Sequence, residues 1–127
     1  TVTAHSDGQR ELSIMSSEDS SPLGKLEPQK AEPVKLPNEG KVKLALSIRM
    51  SKLQFYYALE GDELKEYGPV LDASILSDEC GGHVGDGSFT GSFLGVACSD
   101  LNGLGIEAKF DYFVYRPVHH ELDRYEI

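Results

Sequence analysis

The sequence predicts an all-β protein, an antiparallel sandwich or jelly roll. Three observations predict it. In the best-patterned segments apolar residues recur at period two rather than at the helical period. Turn signals rich in Gly, Pro, Asn and Asp interrupt the chain about every ten residues, marking off about eight short strands. The 13 glycines and 6 prolines among 127 residues favour turns over helices.

Taken in order, residues 1–5 and 11–16 alternate around an Asp7-Gly8 turn and predict a hairpin. Residues 17–28 are rich in Ser, Pro, Asp and Glu and read as a loop. A short extended run over 30–36 ends at Pro37-Asn38-Glu39-Gly40. Residues 41–50 carry the strongest pattern. Val42, Leu44, Leu46, Ile48 and Met50 take one face, while Lys41, Lys43, Ser47 and Arg49 take the other. Ser51-Lys52 leads into 53–59, where Leu53, Phe55, Tyr57 and Leu59 share a face, so the pair predicts a second hairpin. Residues 63–80 begin as a strand, break at Gly68-Pro69 and continue as a loop or single helical turn. A glycine loop covers 81–88. Strands are expected over 92–98 and 107–115, the second with aromatic residues on both faces and so covered on both sides. Residues 117–127 form a polar tail.

Composition narrows the function classes. Twenty-one acidic against 12 basic residues give a net charge of −9. Phosphate binding requires clustered Lys and Arg, so no nucleic-acid partner is expected. No apolar run approaches the ~20 residues of a membrane helix, and no membrane partner is expected. The first residues show neither a charged n-region nor an apolar h-region, which leaves cytoplasmic and secreted locations both open. Cys80 and Cys98 read as two free thiols, with a disulfide as the alternative.

Candidate chemistry is sparse. Glu121-x-Asp123-x-x-Glu126 has the carboxylate spacing of some jelly-roll glucanases, but the three sit at the end of the polar tail and read as solvated. His119 and His120 point to opposite faces of any strand and cannot chelate together. Asp78, Glu79, Asp86 and Asp100 are loop acids that read as solvated rather than as calcium ligands. The glycines around Asp86 lack the lysine of a phosphate loop. No catalytic residue, metal ligand or cofactor is assigned. Tyr57 and Tyr112 fall on regular apolar faces and are expected in the core. Tyr56 points the other way and is a candidate contact for a sugar or a neighbouring domain.

Three stretches carry a resemblance. Gly68-Pro69-Val70-Leu71-Asp72 leads into Leu76-Ser77-Asp78-Glu79. Phe89-Thr90-Gly91 leads into Phe93-x-Gly95. Phe110-Asp111-Tyr112-Phe113 follows. Together, over about residues 36–116, they resemble the C-terminal concanavalin A-like sandwich of family 43 glycoside hydrolases, the β-xylosidases and α-L-arabinofuranosidases. The resemblance implies that residues 1–116 are the C-terminal portion of such a sandwich, an incomplete domain whose N-terminal strands lie upstream. It implies a catalytic β-propeller domain as partner, and xylo- or arabino-oligosaccharide as an indirect one, with oligomerisation open. It places Phe89 at the rim of the substrate pocket. Cys80 and the longer Gly82-His83-Val84 stretch depart from the family pattern beside Phe89. The alternative is a stand-alone, lectin-like carbohydrate-binding module; a third class is a purely structural assembly domain.

Overall fold

The computed structural model describes residues 1–16, 27–28, 31–76, 94–101 and 103–117. Among them the fold is all-β: eight strands in three antiparallel sheets, and a single 3-10 turn. The chain divides into two compact units, Thr1–Gly91 and Ser92–Ile127.

In the first unit β1 (Val2–Ala4) and β2 (Arg10–Leu12) form the expected hairpin, joined in register from Val2 opposite Leu12 to Ala4 opposite Arg10. Gly8 adopts φ +86°, and the Asp7 carboxylate accepts a bond from the Gln9 N–H at 3.0 Å, which closes the turn. The expected strand 11–16 is divided. Met15–Ser16 forms a separate strand, β3, which pairs with β4 (Glu27–Pro28), inside the stretch expected to be loop. A two-residue ladder is too short to leave a periodic signature. β5 (Val34–Leu36) completes the first sheet beside β2. Arg10 ties this sheet to the turn that follows, donating from Nε to the Pro37 carbonyl at 2.6 Å and from Nη1 to the Gly40 carbonyl at 3.0 Å.

β6 (Val42–Arg49) and β7 (Lys52–Leu59) form the second hairpin, with all eight pairs in register from Val42–Leu59 to Arg49–Lys52. The register places Met50 and Ser51 at the tip rather than Ser51 and Lys52. Met50 holds φ +56°, a backbone conformation that normally calls for glycine at the first position of a two-residue turn. Met50→Gly should therefore raise stability by ~1 kcal/mol, read as a higher urea midpoint at unchanged m.

β8 (Lys65–Asp72) pairs with β7 and does not break at Gly68-Pro69. One residue separates Leu53 from Phe55 on β7, whereas three separate their partners Leu71 and Tyr67 on β8. Two extra residues are thus accommodated as a bulge. The buried Gln54 side chain makes this possible, because its amide donates to the Gly68 carbonyl at 3.0 Å and reaches the Tyr67 carbonyl at 3.3 Å. The 3-10 turn Ala73–Leu76 then provides the expected helical turn, and the Asp72 carboxylate accepts from the Ser74 N–H. Hydrogen bonds from Ser74 hold the Asp72 carboxyl below its ordinary pKa.

The core draws on two sheets. Leu12, Ile14 and Leu36 meet Tyr57 and Tyr67, with Val42, Phe55, Leu59 and Leu71 at its margin. The Tyr57 and Tyr67 rings pack edge to face, with centroids 5.7 Å apart. The Tyr67 hydroxyl lies 2.8 Å from the Glu32 carbonyl and 3.1 Å from that of Leu12, and its single proton serves one of the two.

In the second unit, residues 94–101 and 103–117 carry no ladder, against the strands expected over 92–98 and 107–115. Leu94, Val96, Phe110, Phe113 and Val114 are exposed. Alternating apolar residues specify a strand only where a lateral partner takes their backbone groups, and none of the described residues does so here. Asp100 accepts bonds from the N–H groups of Leu104 and Gly105 at 3.2 and 2.9 Å, organising the turn through Gly103 and Gly105, both at positive φ.

Candidate functional site

The sheet β6-β7-β8 presents two faces. Tyr57 turns inward to the core, so Tyr56, its neighbour on β7, turns outward. There Tyr56 stands half-buried between Ala45 of β6 and Glu66 of β8. Alanine leaves one flank of the ring low. Glu66 is exposed and places a carboxylate on the other flank. Gln54 and Ala58, before and after Tyr56 on this face, are buried. An aromatic ring beside a carboxylate can receive the apolar face of a pyranose and accept its hydroxyl protons. A single exposed carboxylate supplies no acid and base pair for hydrolysis.

Tyr57 occupies the core as expected, and the Lys65 ammonium sits 4.8 Å from its ring centroid. Tyr112 does not: it is 63% exposed, because the segment that carries it is unpaired among the described residues. Cys98 is a free thiol, as expected, and it is exposed. Asp100 is engaged with backbone N–H groups of its own turn. Among the described residues no three His, Cys, Asp or Glu side chains converge on a point where a metal could sit, and no helix is long and apolar enough to cross a membrane. Phe89, Cys80, the loop acids Asp78, Glu79 and Asp86, His83, His119, His120 and the carboxylates Glu121, Asp123 and Glu126 lie outside the described residues.

Glu66 was not legible beside Tyr56. The pairing lies on the turn side of the bulge, where the connection between Leu59 and Lys65 sets the register, and strand alternation alone does not fix how many residues that connection takes.

Residues 1–116 match a family described as the β-xylosidase C-terminal concanavalin A-like domain. The chain is 71% identical over 126 residues to xylosidase/arabinosidase 43B of Humicola insolens, covering 99% of the chain and 23% of that relative. It is 34% identical over 92 residues to a putative β-xylosidase of Escherichia coli strain K12, covering 72% of the chain and 17% of the relative. It is 38% identical over 74 residues to a xylan 1,3-β-xylosidase of a Vibrio species, covering 58% of the chain and 14% of the relative. The chain thus spans less than a quarter of the length of these relatives. No solved structure matches it.

Proposed function

We propose, since the chain belongs to the family of β-xylosidase C-terminal concanavalin A-like domains, that it serves as the non-catalytic sandwich portion of a glycosidase acting on xylose- or arabinose-terminated chains. The observation that carries this reading is the 71% identity over 99% of the chain to a xylosidase/arabinosidase of which it covers only 23%. Residues 1–116 form the sandwich portion, and residues 117–127 follow as a polar tail. The catalytic carboxylates belong to a separate β-propeller domain, on which this module packs.

Within that reading Phe89 walls the substrate pocket. It is flanked by Gly87 and Gly91, whose lack of side chains lets an aromatic group reach out from a loop. Phe89→Ala in the full-length protein should lower kcat/KM for xylobiose about tenfold, the scale of one lost aromatic wall, without lowering the melting temperature. Unchanged kinetics would remove Phe89 from the pocket.

Tyr56 with Glu66 supports a second reading, in which the outward face of β7 binds oligosaccharide by itself. Calorimetric titration of the chain with millimolar xylobiose should then give heat that Tyr56→Ala abolishes; no heat would dismiss this reading.

A further inference from the structure

The outward face of the β6-β7-β8 sheet carries more than Tyr56. Its register sets Lys43, Ala45, Ser47 and Arg49 of β6 beside Ala58, Tyr56, Gln54 and Lys52 of β7. Residues 41–59 hold four basic side chains and no Asp or Glu, in a chain of net charge −9. Arg49 and Lys52, both exposed, stand directly opposite each other at the hairpin tip. Like charges in that position weaken a ladder. Asp72 is opposite Lys52 on β8, but its carboxylate accepts from the Ser74 N–H at 2.9 Å. Among the described residues neither Arg49 nor Lys52 forms an ion pair. Tyr56 lies four residues along β7 from Lys52, about 13 Å of strand. The floor between them is low. Ser47 is half-buried, and the Gln54 amide donates to the Tyr67 and Gly68 carbonyls of the bulge. Glu66 flanks Tyr56. The face is therefore acidic beside its ring and basic at the hairpin tip.

We propose that the Arg49–Lys52 pair is the carboxylate-binding end of the Tyr56 face, and that the ligand is a short oligosaccharide bearing one uronic acid. A neutral pyranose would stack on Tyr56 and give hydroxyl protons to Glu66. The uronate would lie at the tip between guanidinium and ammonium, where charge-assisted hydrogen bonds offset the like-charge contact. A monosaccharide is too short to reach both ends. A polymer with a carboxylate on every ring fits less well, because Glu66 would repel the ring held at Tyr56. The inference rests on the second reading above, in which this face binds oligosaccharide.

Affinity electrophoresis of the full-length protein tests this, in gels holding unsubstituted xylan, glucuronoxylan or polygalacturonate. Wild type should bind glucuronoxylan about tenfold more tightly than unsubstituted xylan. Joint Arg49→Ala and Lys52→Ala, two exposed substitutions, should erase that preference and leave binding to unsubstituted xylan as it was. Salt at about 1 M should erase it too, since the pair is exposed. Equal binding to the two xylans, or a preference that survives the double substitution, would overturn the inference. So would polygalacturonate binding as tight as that of glucuronoxylan and indifferent to Tyr56→Ala, the mark of ion exchange. The underlying reading fails differently: binding to unsubstituted xylan that Tyr56→Ala leaves unchanged would take sugar off this face altogether, and the uronate site with it.

Discussion

Tyr67→Ala is expected to destabilise the Thr1–Gly91 unit by ~3–5 kcal/mol, the scale for deleting a buried aromatic side chain. That is a large part of the ~5–15 kcal/mol that holds a typical domain. The residue joins both contributing sheets. Its ring packs on Tyr57, and its hydroxyl reaches the carbonyls of Glu32 and Leu12. Tyr67→Phe separates the two roles. It keeps the ring and should cost only ~1–2 kcal/mol for the one carbonyl left without its donor. The hydroxyl also sets a pH limit. Burial, then the neighbouring Tyr57, Glu11 and Glu32, raise the Tyr67 pKa above its ordinary value of 10.0. The unfolded chain therefore loses this proton first as pH rises. The associated stability is complete below pH 10 and is lost as pH climbs through the raised folded-state value. Urea denaturation at neutral pH and above pH 10 should show wild type losing more stability than Tyr67→Phe. Parallel pH profiles would contradict this.

Gly68→Ala is expected to cost about 2–4 kcal/mol, from two separable causes. Gly68 has φ +76°, strained for any L residue with a side chain, and a Cβ there would lie 2.7 Å from Ile14 Cδ1 and 3.3 Å from Ala31 Cβ. Gly61→Ala is the internal comparison. Gly61 has φ +83°, but a methyl group there would meet nothing within 4 Å, so only the backbone strain of ~1–2 kcal/mol should appear. Equal losses at the two sites would mean that the close approach of Ile14 to the bulge does not matter.

These two positions also mark where sequence reading succeeds and stops. Strict alternation over Val42–Arg49 and Lys52–Leu59 is enough to place the central hairpin, its faces and the inward direction of Tyr57. Gly68-Pro69 reads as a strand end because proline cannot join a ladder, yet the strand continues. The feature that sustains it is the side-chain amide of Gln54, on another strand, supplying the missing donors. That is a tertiary fact with no local signature. The segment 107–115 errs the other way. Its alternating aromatics satisfy every local criterion for a strand, but pairing depends on a neighbour that local pattern does not specify. At the candidate site, the outward direction of Tyr56 follows from alternation, whereas its partner Glu66 depends on the length of the connection between Leu59 and Lys65, which alternation does not specify.

The membership of the chain in a family of β-xylosidase C-terminal domains makes one measurement decisive for its role. Xylobiose hydrolysis should be compared for the full-length protein, the same protein without these 127 residues, and the 127-residue chain alone. Turnover is expected from the full-length protein, with most of it lost on deletion and none from the chain by itself. Hydrolysis by the isolated chain, or full activity after its deletion, would contradict a non-catalytic module that shapes the pocket.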